Sequence, residues 1–154
     1  MMRTPTVLQM ENTECGAASL SIVLQYYGRY IPLTQLREVC GVSRDGCDAA
    51  NLIKAARNLG LDAKGFKKGI QALELVKTPA ILFWEFNHFL VLEGFCGDRV
   101  ALNDPALGPR TVTRDEFDRS YTGIVLTMEP NAEFQRGGRA PSAWPSVLQR
   151  LGSE

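Results

Sequence analysis

The chain has 154 residues, a length that corresponds to one domain with a short additional segment. Seventeen Lys and Arg balance seventeen Asp and Glu, which argues against a nucleic-acid partner because no excess of cations is available to displace phosphate counterions. Apolar residues make up 45% of the sequence, which excludes intrinsic disorder. The N-terminus lacks the apolar stretch of a signal peptide, so we expect reducing surroundings and free thiols.

The first third of the chain has the apolar spacing of helices. Residues 15–27 form the clearest predicted helix, which ends at Gly28. Two more helices are predicted at 33–40 and 48–59, each followed by a glycine.

After Gly60 the pattern becomes that of short strands. Predicted strands cover 61–66, 80–86, 89–95, 99–103 and 123–128. A capping box, Thr113-Arg114-Asp115-Glu116, predicts a short helix at 114–119. Helices followed by strands indicate an α+β domain over 1–128.

Residues 129–154 are predicted to leave this domain. Their first part is rich in Pro, Gly, Asn and Arg, which is typical of a linker. The spacing of Trp144, Val147, Leu148 and Leu151 then indicates a short amphipathic helix. It either folds back onto the domain or lies at an interface that leads to a further segment.

Cys15 is a candidate nucleophile because it falls at the first turn of the best predicted helix. Unpaired backbone amides and the helix dipole stabilise a thiolate at that position. A buried structural cysteine is the alternative, since free cysteines are often core residues.

Two further residues complete a candidate catalytic set. His88 is the one histidine of the sequence and is the side chain best suited to act as a general base near neutral pH. Asp104 follows the next strand, where its carboxylate could accept the Nδ1 proton of His88 and stabilise the imidazolium. The order Cys, His, Asp is that of papain-like enzymes. Gln9, six residues before Cys15, could donate to the oxyanion of a tetrahedral intermediate.

Other chemistries are poorly supported. Cys15, Cys40, Cys47 and His88 could in principle bind zinc, but their spacing fits no common zinc motif, so no metal is expected. No Gly-rich phosphate loop is present, and we expect no cofactor in this chain.

The register between His88 and Asp104 can be worked out from the turn between their strands. With a two-residue Gly97-Asp98 turn, the alternation of side chains would put His88 and Asp104 on opposite faces of the sheet. A three-residue turn, or one bulge, would place both on the same face as diagonal neighbours. We therefore predict an odd-length turn or a bulge.

The sequence resembles the double-glycine leader peptidase domain of bacteriocin-processing ABC exporters over about residues 7–128. The similarity lies in Gln9 and in the segments Glu14-Cys15-Gly16-Ala17-Ala18-Ser19-Leu20, Gly41-Val42-Ser43-Arg44-Asp45-Gly46, Asn87-His88-Phe89-Leu90-Val91-Leu92 and Asn103-Asp104-Pro105-Ala106-Leu107-Gly108. Glu14 stands where that family more often has Asp.

This resemblance implies a papain-like cysteine peptidase that cuts precursor peptides after a double-glycine motif. It makes Cys15 the nucleophile, His88 the base, Asp104 the orienting residue and Gln9 the oxyanion donor. The precursor would bind through a helical leader in an apolar groove, for which Val42, Leu52 and Ala55 are the candidate residues.

The resemblance also implies a larger assembly. The chain would be the peptidase part of an exporter at the cytoplasmic face of the bacterial membrane, and ATP would bind only in an absent nucleotide-binding domain. The segment Phe134-Gln135-Arg136-Gly137-Gly138 resembles exporters that handle nitrile-hydratase-like leaders. Two alternatives stay open: a module that binds a leader without cutting it, and a papain-like acyltransferase.

Overall fold

The computed structural model describes residues 3–8, 14–41 and 48–138. Three helices come first and all six strands follow, with two short helices among them, so the predicted order of helices before strands is confirmed. The helices are α1 (Cys15–Tyr26), α2 (Leu33–Val39), α3 (Ala49–Asn58), α4 (Ile70–Leu73) and α5 (Arg114–Ser120). The strands are β1 (Leu61–Lys67), β2 (Ala80–Trp84), β3 (His88–Cys96), β4 (Arg99–Asp104), β5 (Gly108–Thr113) and β6 (Tyr121–Pro130).

The strands form one antiparallel sheet in the order β1-β6-β2-β3-β4-β5. Each face of this sheet carries its own apolar core. Helices α1 and α3 cover one face, where Leu20, Val91 and Leu126 lie in the same cluster. Phe117 of α5 packs with Leu90 and other apolar side chains of the opposite face. The predicted α+β class, with N-terminal helices packed on an antiparallel sheet, is confirmed.

Helix α1 is more deeply buried than its amphipathic pattern suggests. Every residue from Cys15 to Leu24 is buried, because α1 lies between the sheet and the helices α2 and α3. A helix enclosed on all sides holds its first residue in a fixed place, and that residue is Cys15.

Two elements were not predicted. Strand β5 begins Gly108-Pro109, and proline is unusual in strands except at the edge of a sheet, which is where β5 lies. Helix α4 has four residues, too few to show a helical period. The predicted capping box at the start of α5 is present, with Thr113 Oγ1 accepting from the backbone N–H of Glu116.

The packed chain continues past residue 128, where the predicted domain ends. Strand β6 runs to Pro130, and the ring of Phe134 packs edge-on to Tyr27. Gly137 then bonds the loop after α1: its N–H donates to the Gly28 carbonyl, and its carbonyl accepts from Tyr30 N–H. The composition of a linker therefore conceals a segment held by this aromatic contact, by these two backbone hydrogen bonds and by another from the Asn131 N–H to the Gly60 carbonyl. The predicted amphipathic helix over 144–151 lies outside the described residues.

Candidate active site

The nucleophile candidate lies at the start of α1, beside the first residues of β3. Cys15 is 7% exposed, and its Sγ accepts a hydrogen bond from the backbone N–H of Phe89 at 3.4 Å. The thiol is therefore held at the N-terminus of a buried helix, against the strand that begins with His88.

A tight turn places His88 at the start of β3, beside Cys15. Residues 85–87 connect β2 to β3, and Trp84 pairs with His88 across the hairpin. Glu85 and Phe86 both have positive φ values, 54° and 60°, a conformation that costs about 1 kcal/mol or more for a residue other than glycine. Strain of this kind is common where a functional side chain has to be placed.

The imidazole of His88 is paired with Asp104. Its Nε2 lies 2.6 Å from Asp104 Oδ1, and the Asp104 side chain is only 3% exposed. The expected pairing was through Nδ1, and this detail is wrong. With Nε2 directed at the carboxylate, the nitrogen left for the thiol is Nδ1. The two side chains meet because His88 begins β3 and Asp104 ends β4, at the same end of the hairpin.

The predicted change of register between His88 and Asp104 is confirmed, and a bulge produces it. The turn is the plain two-residue one, with Cys96 opposite Arg99. Glu93 is then skipped in the pairing, so that Leu92 pairs with Leu102 and Val91 with Asn103. This one extra residue puts His88 and Asp104 on the same face, as diagonal neighbours.

The charges at the site favour a protonated His88. Burial by itself lowers the pKa of His88, but hydrogen bonds with Asp104 and with Cys15, together with the negative charge of Asp104, raise it from 6.5 to about 9. Burial by itself raises the pKa of Asp104. The hydrogen bonds from His88 and from the Ala106 backbone N–H outweigh this effect, so the pKa of Asp104 is lowered.

Arg110 is a member of the site that the sequence analysis missed. Its Nη1 lies 3.4 Å from Asp104 Oδ2, and its positive charge helps to lower the pKa of that carboxyl group. Because Asp104 pairs with Gly108, Arg110 is the diagonal neighbour of Asp104 on the same face. A predicted strand after the Asp-Pro turn would have revealed it.

The other predicted site residues have different outcomes. Gln9 and Val42 lie outside the described residues. Leu52 and Ala55 are 0% and 1% exposed and belong to the core beneath α3, so the prediction that they line a groove is wrong. They occupy the apolar stripe of an amphipathic helix, and that stripe packs on β1.

The described residues hold no group of three His, Cys, Asp or Glu side chains that could bind a metal ion. Cys47, one of the four candidate zinc ligands, lies outside the described residues. Within the same ranges, none of the helices has the length and apolar character that crossing a membrane requires.

Cys15, His88 and Asp104 have the arrangement that a nucleophile, a base and a carboxylate that fixes the base require. A protonated His88 beside Cys15 stabilises a thiolate, and the same proton can pass to a leaving amine once the thiolate has attacked a carbonyl. Asp104 fixes the ring and stabilises the imidazolium without giving up its own charge.

Comparison with known proteins agrees with this chemistry. Residues 3–133 match the model of the Peptidase C39 family. The colicin V secretion/processing ATP-binding protein of Escherichia coli is 37% identical over 133 residues, which cover 86% of this chain and 19% of that protein. The lactococcin-G-processing and transport ATP-binding protein of Lactococcus lactis subsp. lactis is 31% identical, with 84% and 19% covered. The chain thus spans about a fifth of the length of these relatives.

Comparison with solved structures also identifies peptidase domains of transporters as similar to this chain. A double glycine motif protease from an AMS/PCAT transporter, in complex with the leader peptide, is 51% identical with a TM-score of 0.82, and the match covers 84% of this chain and 93% of that one. The peptidase domain of Streptococcus ComA has a TM-score of 0.78 at 22% identity over 81% of this chain and 97% of that one, which supports the fold alone. The predicted papain-like fold is confirmed.

Proposed function

This chain belongs to the Peptidase C39 family of cysteine peptidases, and on that premise we propose that it removes the leader from ribosomally made precursor peptides. The cut falls after a double-glycine-type motif. The arrangement of Cys15, His88 and Asp104 carries this proposal, because His88 is hydrogen-bonded both to Asp104 and to Cys15. Gln9 is the proposed oxyanion donor, together with the backbone N–H of Cys15.

The reaction begins when the Cys15 thiolate attacks the carbonyl of the second glycine. The tetrahedral intermediate collapses as His88 gives its proton to the leaving amine, and an acyl-enzyme forms on Cys15. Water, deprotonated by His88, then releases the leader. The core peptide has left before this hydrolysis, because the amine released in the first step is its new N-terminus.

The preference for glycine is consistent with the narrow surroundings of the nucleophile. Cys15 is 7% exposed, so the substrate backbone has to come close to the protein before the thiolate can reach it. Glycine has no Cβ and allows such an approach, whereas a branched side chain would prevent it.

We expect cleavage to tolerate only small residues at the two positions before the scissile bond. A panel of precursors with Gly-Gly, Gly-Ala or Gly-Leu before the cut, followed by mass spectrometry, tests this and the proposed function together. Gly-Leu should be cut at least about tenfold more slowly than Gly-Gly. Equal rates would contradict the narrow-site argument, and no cleavage of any precursor would contradict the proposed function. Transfer of the acyl group to an amine instead of water would favour the acyltransferase alternative.

Partly exposed apolar side chains next to the site offer a surface for the leader. Phe83 and Ile124 lie on the face of the sheet that α1 and α3 cover, and both are only partly buried. The ring of Phe86, which is 74% exposed, stands edge-on to Phe83 at 6.0 Å between centroids. Phe83 also pairs with Phe89, whose N–H contacts Cys15. We define Phe83, Phe86 and Ile124 as the apolar surface and assign it to the apolar side of a leader helix.

Phe86 provides the cleanest test of the apolar surface, because it is exposed and lies outside both cores. We expect Phe86→Asn to reduce kcat/KM roughly tenfold, since an aromatic side chain loses contact worth 1.5–3 kcal/mol if fully buried by the leader. Asn is chosen because it tolerates the positive φ at this position. Leu75→Asn is the matched control, as Leu75 is 89% exposed and lies in the connection between α4 and β2. Equal rates for the two variants would place leader binding elsewhere.

The parent protein is proposed to be an exporter. Transmembrane and nucleotide-binding domains would be further partners, with this domain at the cytoplasmic face of the membrane and ATP bound elsewhere in the exporter. The similarity of Phe134-Gln135-Arg136-Gly137-Gly138 to exporters of nitrile-hydratase-like leaders supports that class as the substrate.

A further inference from the structure

The connection between β4 and β5 carries an exposed apolar surface that the mechanism does not use. Residues 105–107 form a three-residue turn, in which the Leu107 N–H donates to the Asp104 carbonyl at 3.0 Å. Leu107 is 68% exposed, and Ala106 and Pro109 beside it in the chain are exposed as well. We define Ala106, Leu107 and Pro109 as the turn surface.

The turn surface is held next to His88 by the Asp104 carboxylate. Asp104 Oδ1 accepts a hydrogen bond from the Ala106 backbone N–H at 2.9 Å and lies 2.6 Å from His88 Nε2. One carboxylate oxygen therefore contacts both the imidazole and the turn. An isolated exposed leucine is common on protein surfaces. Leu107 is distinguished by its place, one residue from a backbone group that shares an acceptor with His88.

The turn surface and the apolar surface assigned to the leader lie on opposite sides of His88. The sheet order is β1-β6-β2-β3-β4-β5, and the apolar surface belongs to β6, β2 and the β2–β3 connection. The β4–β5 turn is at the same end of the sheet, because β3 begins at His88 and β4 ends at Asp104. A substrate chain that reaches Cys15 from the leader side therefore continues toward the turn surface.

We propose that the turn surface, through Leu107, binds the side chain of the first core residue, the one that follows the scissile bond, and favours an apolar side chain there. This inference rests on the proposed function and on the assignment of the leader to the apolar surface. Leu107 is then a specificity-determining residue for the cleavage.

Continuity with the reacting atoms identifies the occupant. The amine of the first core residue takes its proton from His88, so its side chain lies next to the turn that Asp104 holds. An apolar side chain there removes its own surface and that of Leu107 from water. A polar side chain would lose water without gaining a hydrogen bond from the side chains of the turn surface, which have no polar atoms.

The test uses two precursors that differ only at the first core residue, which is Leu in one and Asn in the other. For the parent, kcat/KM should be about fivefold higher with Leu, because a partial contact is worth less than the tenfold or more of a fully buried leucine. In Leu107→Asn this ratio should fall below twofold. The ratio is taken in kcat/KM, which reports the steps up to the acyl-enzyme, since the later hydrolysis is identical for the two precursors.

Three controls accompany the ratio. Leu107→Met keeps an apolar side chain and should retain at least a threefold preference for Leu. Leu75→Asn makes the same change at a leucine that is 89% exposed between α4 and β2, and it should retain the parent preference. Binding of the isolated leader, followed by fluorescence anisotropy, should be the same in all variants, because the leader lacks the first core residue.

A second variant keeps the test decisive if Leu107→Asn cuts neither precursor. Leu107→Ala removes most of the contact without adding a polar group, and its ratio should also fall below twofold. The inference is overturned if the parent cuts the two precursors at equal rates, or if the preference for Leu persists when Leu107 is replaced by Asn or Ala. The proposed function fails in a different way, because the parent would then leave both precursors uncut.

Discussion

We expect Cys15→Ala to abolish precursor cleavage while leaving the leader bound. Removing the nucleophile eliminates the acyl-enzyme route, and kcat should fall by roughly 10⁴-fold or more, which corresponds to about 5 kcal/mol of transition-state stabilisation. Leader affinity should persist, because it is assigned to the apolar surface and not to the thiol. Cleavage followed by mass spectrometry and leader binding followed by fluorescence anisotropy measure the two effects separately.

Cys96→Ala is the matched control for this experiment. Cys96 is also a free cysteine, but it is exposed and lies at the end of β3 remote from His88. We expect this variant to cleave at the parent rate. Residual turnover in Cys15→Ala above that of a heat-inactivated sample would remove Cys15 from its proposed role.

The second large effect is expected at Asp104, where the size of the loss should depend on what replaces the carboxylate. Asp104→Ala leaves Nε2 of His88 without its acceptor, so kcat should fall by about 10²–10³-fold, within the range of general acid–base contributions. Asp104→Asn keeps an oxygen that can accept from Nε2 but removes the charge. It should retain more activity than Asp104→Ala.

The pH dependence of Asp104→Asn follows from the pKa of His88. The Asp104 hydrogen bond and charge help to raise this pKa to about 9, so the leaving amine can take a proton from His88 up to that pH. In the parent, kcat/KM should therefore decline above about pH 9. Loss of the carboxylate charge lowers the pKa of His88, and the alkaline decline should begin at a lower pH in Asp104→Asn.

Asp98→Asn supplies the control, since Asp98 lies exposed in the turn at the other end of the same hairpin. Its pH profile should match that of the parent. An unchanged alkaline limb in Asp104→Asn would mean that Asp104 does not govern the protonation of His88.

The pairing of His88 with Asp104 also makes the stability of the folded state depend on pH. The raised pKa of His88 stabilises the folded state fully below pH 6.5, and this contribution is lost as the pH rises through about 9. The lowered pKa of Asp104 acts in the opposite direction: its contribution is present above the ordinary value of 3.8 and is lost as the pH falls below it. Both contributions are therefore complete between pH 3.8 and pH 6.5, the ordinary pKa values of the two groups.

Local sequence determined much of this protein. The apolar spacing of residues 15–27 and Gly28 were enough to place α1 and to put Cys15 at its start, because helix periods and end signals depend on neighbours a few residues apart. The capping box at Thr113 is local in the same sense. The alternation rule required a change of register between His88 and Asp104, since side chains of a strand must point to alternate faces.

Tertiary structure decided the features that depend on contacts between distant residues. The register change could have come from the turn or from a bulge, and the bulge at Glu93 exists where its side chain binds Thr4, 89 residues away. The meeting of His88, Asp104 and Arg110 follows from how strands β3, β4 and β5 align.

Burial is the other property that the sequence left open. Leu52 and Ala55 have the apolar character of a binding groove as well as of a core, and only the packing of α3 on β1 assigns them to the core. Residues 131–138 have the composition of a linker, yet Phe134 and Gly137 find partners on the loop and helix end after α1. Composition and period describe what a segment can do by itself, whereas the partner it meets is fixed only when the whole chain has folded.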